Sequence, residues 1–301
     1  MNELMIGKNR IPAQNNPANV YIASLSKGSQ RTMISALENI AQIFNLSAMQ
    51  FDWTKIRYQH VQTIRASLSD HYAPATANRH LAALRGVLKE NWRLGYMNAE
   101  EYQRATDFKI IKGFRELAGR YIQEADVQKL IEHCYTRGRI TGIRDAAMIG
   151  MLYVCGLRRD ELVSLSIGDY ADGEVRVIGK GNKERFVAVN KQLQQLLAEW
   201  VDIRGRSDGA LFVNVNTMQP LTTQAVYTML KRRGKVIAIE ALSPHDFRHT
   251  FISNLFDAGV DISTIANLAG HDDVETTRRY DRRDRRAGKA AVEKLNIPGI
   301  K

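Results

Sequence analysis

Residues 243–249 read Ser-Pro-His-Asp-Phe-Arg-His. Pro244 suits the first position of a helix, and Ser243 suits the residue that caps it. His245 and Arg248 stand three positions apart, so they share one face of that helix. The backbone N–H groups at a helix N-terminus favour an anion such as phosphate. The stretch therefore predicts an anion site at the start of a helix.

A candidate nucleophile follows this stretch. The chain continues through Gly270-His271 and then Thr277-Arg278-Arg279-Tyr280. A tyrosine is a poor nucleophile at neutral pH because its phenol titrates near pH ~10. It becomes reactive where cations and hydrogen-bond donors stabilise its oxyanion and the charge that grows on the substrate. Arginines and histidines spaced to meet around Tyr280 fit the attack of a phenol on a phosphodiester.

Two further cations lie upstream. Arg158 stands in Gly-Leu-Arg-Arg-Asp-Glu-Leu (156–162) at the predicted start of a helix, and its guanidinium holds two phosphate oxygens without losing its charge. Lys180 stands in Gly-Lys-Gly-Asn-Lys-Glu-Arg (179–185) at the tip of a predicted hairpin, where it reaches a leaving oxygen and donates a proton. This is not a phosphate loop, because Gly181 replaces the required Ser or Thr. Taken singly, each residue also fits a surface ion pair or a solvated turn.

Composition favours a polyanionic partner. The 301 residues carry a formal net charge of +11, with a pI near 9.7. Cys134 and Cys155 each fall in an apolar helical pattern, which predicts buried free thiols in a reducing compartment. No Cys/His cluster has zinc spacing, and no apolar run reaches the ~20 residues that span a bilayer, so we expect no metal and no membrane partner. The expected location is the cytoplasm, because no signal peptide is evident.

Composition and apolar spacing divide the chain into four parts. These are a flexible lead-in (1–18), a helical domain (19–108), a basic linker (109–120) and a second domain (121–301). In the helical domain, apolar residues repeat at helical spacing over 29–45 and 58–68, and again after Pro74.

The second domain is predicted to combine helices with a small sheet. Residues 175–178 and 186–189 have the composition of strands, and the turn 179–182 joins them. Apolar spacing predicts helices on both sides of this hairpin and a last helix near 287–296.

Together these stretches resemble the successive signature boxes of the tyrosine recombinases, the phage-integrase family. In that family the catalytic arginine of the first box stands three positions before a glutamate, which selects Arg158 over Arg159. The resemblance implies six catalytic residues: Arg158, Lys180, His245, Arg248, His271 and the nucleophile Tyr280. It covers residues 120–290 strongly, and residues 73–85 are less specifically similar to the family's helical core-binding domain.

The resemblance also implies a fold and a mechanism. The fold is mainly α with a small β-sheet: a helical SAM-like core-binding domain and an α+β catalytic domain form a C-shaped clamp on DNA. Tyr280 attacks the scissile phosphate and forms a 3′-phosphotyrosyl link, while His245 takes its proton and Lys180 protonates the leaving 5′ oxygen. Arginines supply the positive charge, so neither a metal nor any other cofactor is expected. Strands are exchanged through a Holliday junction.

The implied partners are double-stranded DNA recombination sites and other copies of the chain. The family acts as a homotetramer on two DNA sites and is a monomer or dimer when free, and accessory DNA-bending proteins assist some members. A C-terminal helix over residues 287–296 docks on a neighbour or packs in cis. Candidate DNA contacts are Thr76, Asn78, Arg79, Arg85, Lys109, Lys112, Lys231, Arg232 and Arg233.

Several functions share these features. We expect a site-specific recombinase that integrates or excises a mobile element and acts on the nucleoid, since residues 280–283 are more similar to such integrases than to chromosome-dimer resolvases. The alternatives are a Xer-like dimer resolvase, a type IB topoisomerase and a non-catalytic DNA-binding regulator. A plasmid with two cognate sites separates these classes, because only a recombinase exchanges strands between the sites.

Overall fold

The computed structural model describes residues 4–5, 12–113, 119–136 and 139–281. The chain divides into two compact units, Met1–Glu116 and Leu117–Lys301. The first unit is helical and the second combines helices with a small sheet, which confirms the predicted fold class. Within the described ranges, no helix has both the length and the apolar character needed to cross a membrane.

The first unit is a helical bundle arranged around its longest helix. Its helices are α1 (Pro17–Ala23), α2 (Lys27–Gln42), α3 (Tyr58–His71), α4 (Pro74–Arg93) and α5 (Ala99–Thr106). α4 starts with Pro74, whose missing N–H costs no bond in the first turn. Leu81, Leu84 and Leu88 of α4 are buried because spacings of three and four place them on one face. Trp92 lies off this buried face: it is half exposed and stacks on Tyr102.

The start of the chain departs from the flexible lead-in expected for residues 1–18. Leu4 is 2% exposed in the core of the first unit, and its carbonyl accepts a hydrogen bond from the Asp52 N–H at 2.7 Å. α1 begins at Pro17, and the Asn16 side chain caps it. The expectation was wrong there because residues typical of loops also cap and start helices.

The segment after α5 packs onto the first unit. Phe108 and Ile111 are buried in its core. The Asn78 side chain donates to the Ile111 carbonyl at 2.9 Å and accepts from the Ile111 N–H at 2.8 Å. Arg85 donates to the Phe108 carbonyl at 2.7 Å and lies over its ring at 4.1 Å. Ile111 of the predicted linker is therefore packed and held by Asn78, and Arg85 holds Phe108 just before the linker.

The second unit surrounds a three-stranded antiparallel sheet with helices. The helices are α6 (Glu124–Tyr135), α7 (Ile140–Cys155), α8 (Arg159–Ser164), α9 (Lys191–Arg204), α10 (Thr223–Val236), α11 (Pro244–Asp257), α12 (Ile262–Ala269) and α13 (Val274–Arg278). The strands are β1 (Tyr170–Ala171), β2 (Glu174–Ile178) and β3 (Glu184–Ala188), in the order β1-β2-β3. Val175 pairs with Val187 and Val177 with Arg185, so these side chains share the inner face.

α7 forms the centre of this unit. Met148, Ile149 and Leu152 are fully buried, and α7 packs against α6, α9 and α11. A helix that is apolar on every side is stable only inside a core. Cys134 and Cys155 are buried free thiols, as their apolar context predicts.

A buried ion cluster joins α7 to α10. Asp145 is fully buried, and it accepts hydrogen bonds from Arg144 at 2.7 Å and from Arg233 at 2.8 and 3.1 Å. Arg233 is 9% exposed, so its guanidinium serves the core. This corrects the predicted DNA contact of Arg233. The run 231–233 is basic throughout, and only the rotation of the helix decides which side chain turns inward.

Two expectations fall on residues outside the described ranges. These are the middle of the linker, 114–118, and the C-terminal helix, 287–296.

Candidate active site

The first turn of α11 is fixed by a carboxylate. The N–H and Oγ of Ser243 donate to one oxygen of Asp246, at 2.7 and 2.9 Å. The other Asp246 oxygen accepts the Arg120 N–H at 2.8 Å. The helix starts directly after Ser243, as its sequence predicts, and His245 and Arg248 lie in its first turns.

Arg248 is a buried cation. It is 3% exposed, its Nη1 donates to the Gly156 carbonyl at 2.8 Å, and its Nη2 donates to the Ala269 carbonyl. Burial, and after it the charge of Arg158, lower the pKa of Arg248 to about 10. The guanidinium therefore stays charged at neutral pH in a place where water screens it weakly.

Arg158 lies at the N-terminus of α8 and is tied to Glu161. Its N–H and its Nη1 each donate to one Glu161 oxygen at 2.8 Å, and its Nη2 donates to the Gly270 carbonyl at 2.7 Å. The side chain is 39% exposed, so an anion has access to it. Arg159, the competing candidate, lies 3.7 Å from Asp160 in a more exposed ion pair.

Arg185 is a third arginine of this group, and the sequence reasoning missed it. It projects from β3, and its two Nη atoms donate to the two Glu161 oxygens at 3.0 and 2.8 Å. Its Nε donates to the Leu268 carbonyl at 3.0 Å. The alternation of inward- and outward-facing residues along β3 could have revealed that Arg185 points inward, because it stands two positions from the inward-facing Val187.

These three arginines meet at the C-terminal end of α12. Each donates to one of three successive carbonyls: Arg185 to Leu268, Arg248 to Ala269 and Arg158 to Gly270. The last carbonyls of a helix lack partners within the helix and carry the negative end of its dipole. The end of α12 therefore gathers three guanidinium groups that would otherwise repel each other.

Tyr280 lies beside this cluster. It is 4% exposed, and its ring lies 5.3 Å from the His249 ring and 6.2 Å from the His271 ring, between centroids. His271 Nδ1 and the Thr277 hydroxyl form a hydrogen bond at 2.7 Å. Burial raises the pKa of Tyr280, and the charges of Arg248 and other nearby arginines oppose that rise. Those cations lower the free energy of the phenolate relative to the phenol.

The surroundings of the two predicted histidines favour the neutral form of each ring. Burial, and after it the charge of Arg248, lower the pKa of His245 below its usual value. The same two causes lower the pKa of His271 to about 4. A neutral imidazole both accepts and donates a proton, so each ring is suited to proton transfer.

Two clefts meet at Arg158. One, of about 340 Å³, is also lined by Tyr227, His245 and Arg248. The other, of about 940 Å³, is lined by His271 and by residues of the β2–β3 hairpin. His245, Arg248 and His271 thus line the two clefts that meet at the accessible guanidinium of Arg158.

Lys180 lies in the turn between β2 and β3, and its side chain is outside the described residues. The neighbouring Lys183 forms an ion pair with Asp272, next to His271. The hairpin therefore lies close to the end of α12.

The remaining DNA-contact candidates are mostly at the surface. Arg79, Lys109, Lys112, Lys231 and Arg232 are exposed, and Thr76 is half-buried. Arg232 also donates to Asp145 at 3.3 Å. Among the described side chains, no group of three or more His, Cys, Asp or Glu residues is arranged to hold a metal ion.

Comparison with known proteins identifies the family. The model of the phage integrase family matches residues 120–286. The tyrosine recombinase XerC of Corynebacterium glutamicum is 31% identical over 224 residues, covering 73% of this chain and 71% of that protein. The XerC of Pseudomonas fluorescens is 32% identical over 241 residues, covering 77% and 78%.

Solved structures share the fold. The Tn1549 transposon integrase, in complex with transposon right end DNA, has a TM-score of 0.70 at 15% identity, covering 94% of this chain and 98% of that chain. A lambda integrase dimer bound to a core site has a TM-score of 0.65 at 15% identity, covering 98% and 85%. At these identities the likeness concerns the fold alone.

Proposed function

The chain belongs to the phage integrase family, and we propose that Tyr280 is the nucleophile with which it breaks DNA strands. The chain is a tyrosine recombinase, an enzyme that cuts and rejoins DNA at specific sites. The observation that carries the proposal is the position of a buried tyrosine beside Arg158 and Arg248, the two guanidinium groups held at the end of α12.

The proposed reaction needs only side chains of this chain. Arg158 and Arg248 hold the non-bridging oxygens of the scissile phosphate and offset the charge of the transition state. The Tyr280 oxygen bonds to phosphorus, the bond from phosphorus to the 5′ oxygen breaks, and Lys180 protonates that oxygen. The phenolic proton passes to His245, whose lowered pKa leaves the ring free to accept it.

Rejoining reverses this sequence. A 5′ hydroxyl from the partner strand gives its proton to Lys180 and attacks the phosphorus of the 3′-phosphotyrosyl link. The bond from phosphorus to the Tyr280 oxygen breaks, His245 returns the proton to Tyr280, and His271 hydrogen-bonds the phosphate throughout. The ester preserves the energy of the broken bond, so religation consumes no nucleotide cofactor. Two successive strand exchanges pass through a Holliday junction.

The proposed assembly is a homotetramer on two double-stranded DNA sites. Exposed cations such as Arg79, Lys109 and Lys231 contact phosphates of the duplex. A solved lambda integrase tetramer bound to a Holliday junction shares the fold, which supports this arrangement. Accessory DNA-bending proteins assist the reaction, which takes place on the cytoplasmic nucleoid.

The proposed biological role is integration or excision of a mobile element. The relatives named XerC, above 30% identity over most of the chain, favour a second candidate, a Xer-like resolvase. A plasmid with two copies of the cognate site, and a second plasmid with one copy, tests both. Exchange between the two plasmids supports integration, and exchange only between the two sites of one plasmid supports resolution. Relaxation without exchange would contradict both roles.

Tyr280→Phe tests the nucleophile. The substrate is a pool of nicked duplexes with randomised sequence around the nick, from which the wild-type chain selects the DNA that it binds covalently. The variant is expected to lose covalent attachment while still shifting the selected DNA in a native gel, because only the hydroxyl is removed.

Tyr121→Phe is the matched control, since the Tyr121 hydroxyl donates to Asn254 in the same unit and away from the arginine cluster. It is expected to attach to DNA at the wild-type rate. Covalent attachment by Tyr280→Phe, or peptide mapping of the nucleotide to another side chain, would refute the proposed role of Tyr280.

A further inference from the structure

Arg185 reaches from the sheet to the centre of the arginine cluster. Its side chain is 12% exposed, and all three of its nitrogens donate hydrogen bonds, two to Glu161 and one to the Leu268 carbonyl. The next carbonyls of α12 receive Arg248 and Arg158. Arg185 therefore connects β3, α8 and α12 at one point.

Glu161 links Arg185 to Arg158, because its two oxygens accept hydrogen bonds from both arginines. One of its oxygens accepts from Arg158 Nη1 at 2.8 Å and from Arg185 Nη1 at 3.0 Å. The other accepts from the Arg158 N–H and from Arg185 Nη2, both at 2.8 Å. A carboxylate bound in this way has no rotational freedom, and it restricts Arg158 to one orientation.

We infer that Arg185 is a positioning residue for DNA cleavage, which orients Arg158 toward the phosphate through Glu161 and through the end of α12. The inference rests on the proposed function. Arg185 is too buried to meet DNA itself, so its effect is on the rate of the reaction and not on DNA binding. The required geometry is narrow, because a misplacement of about 1 Å in an active site slows a reaction about 100-fold.

The protonation of Glu161 distinguishes a positioning role of Arg185 from a purely structural one, because it makes the effect of losing Arg185 depend on pH. Burial raises the pKa of Glu161, but the hydrogen bonds from Arg185 and from the Arg158 N–H outweigh it, so the pKa lies below its usual value. Arg248 of α11 and His271 also interact electrostatically with Glu161. Without Arg185 the pKa of Glu161 rises, and the carboxyl becomes neutral at a higher pH than in the wild type.

Arg185→Gln tests the inference, with Arg176→Gln as the matched control. Arg176 lies on β2 of the same sheet, faces outward and pairs with Asp169. We expect Arg185→Gln to attach covalently to the selected nicked DNA about 100-fold more slowly than the wild type, and Arg176→Gln to attach at the wild-type rate. Affinity, measured by gel shift in the Tyr280→Phe background, is expected to remain within a factor of about two.

The pH profile is the decisive measurement. As pH falls, the ratio of the wild-type rate to the Arg185→Gln rate is expected to grow, because the pKa of Glu161 is higher in the variant and its carboxyl takes up a proton at a higher pH than in the wild type. A ratio that does not change with pH would mean that Arg185 is structural, and equal rates would overturn the inference completely. Failure of the wild type to attach to any DNA of the pool would instead overturn the proposed function.

Arg185→Lys keeps the test valid if the glutamine variant does not fold, as judged by its thermal melting. Lysine preserves the charge but cannot make two parallel hydrogen bonds to Glu161. We expect this variant to melt at the wild-type temperature but to attach about 10-fold more slowly than the wild type, because its charge keeps Glu161 ionised while Arg158 is held less firmly. Slower attachment together with a lower melting temperature would mean that Arg185 is structural. Attachment at the wild-type rate would contradict the inference.

Discussion

Arg248 shows how a single residue combines burial with permanent charge. Its hydrogen bonds go to the carbonyls of Gly156 and Ala269, which orient the guanidinium but carry no full negative charge. Burial lowers its pKa to about 10, so its charge is retained at a cost in solvation. A bound phosphate would supply the missing counter-charge, and more so as negative charge grows in the transition state.

Arg248→Lys is expected to slow covalent attachment to DNA about 100- to 1000-fold, because an ammonium cannot bond two carbonyls and a phosphate in one plane. Single-turnover attachment to the selected nicked DNA measures this effect. Arg204→Lys is the control: Arg204 is also a buried arginine that donates to carbonyls, those of Ala210, Gly205 and Ser207. It should lower the melting temperature and leave attachment unchanged. An equal loss of attachment in both variants would mean that folding, and not the charge of Arg248, determines the rate.

At the scale of the element, the end of α12 organises the cluster. α12 stops at Gly270, whose φ of +65° is left-handed and favours glycine. A Cβ at this position would lie 2.7 Å from Arg185 Nη1. The turn that ends the helix is therefore also the space into which Arg185 fits.

Gly270→Ala tests whether position 270 needs both a left-handed backbone and space for Arg185, with Gly259→Ala as the control. Gly259 also has a positive φ, of +80°, but a Cβ there meets no atom within 4 Å. Both variants should lose about 1–2 kcal/mol of unfolding free energy, because alanine disfavours the left-handed region. Only Gly270→Ala should slow covalent attachment, by about 10-fold or more, since it displaces Arg185. Equal attachment rates for the two variants would show that the crowding around Arg185 has no consequence for cleavage.

The helices and strands also show which parts of the fold could be predicted from the sequence. Helical spacing predicted α4, and the Ser-Pro start predicted where α11 begins, because both signals are local. α1 and the burial of Leu4 were missed, because packing of the chain start on a distant loop has no local signal. Arg185 was missed although it lies in a quoted motif, since a charge beside a turn reads as solvated until its buried partner Glu161 is known.

For the whole molecule, the net charge of +11 overstates the charge available to a polyanion. Several arginines of the second unit serve its interior: Arg144, Arg185, Arg204, Arg233 and Arg248. These five contribute to the field around the protein but cannot all contact phosphates. Affinity for DNA therefore depends on exposed residues such as Lys109, Lys112 and Lys231.

Lys231 and Arg233 lie two positions apart on α10, the first exposed and the second buried. Substituting each in turn therefore compares a surface charge with a core charge. Lys231→Gln should reduce the slope of log affinity against log salt by ~0.9, the contribution of one neutralised phosphate, without altering the melting temperature. Arg233→Gln should leave the slope unchanged and lower the unfolding free energy by about 3 kcal/mol, because Asp145 stays buried and loses one of its cations. Gel shifts of the selected DNA at increasing salt and thermal melts measure both quantities. If Arg233→Gln reduced the slope without destabilising the chain, its guanidinium would contact DNA and the buried cluster with Asp145 would not explain its role.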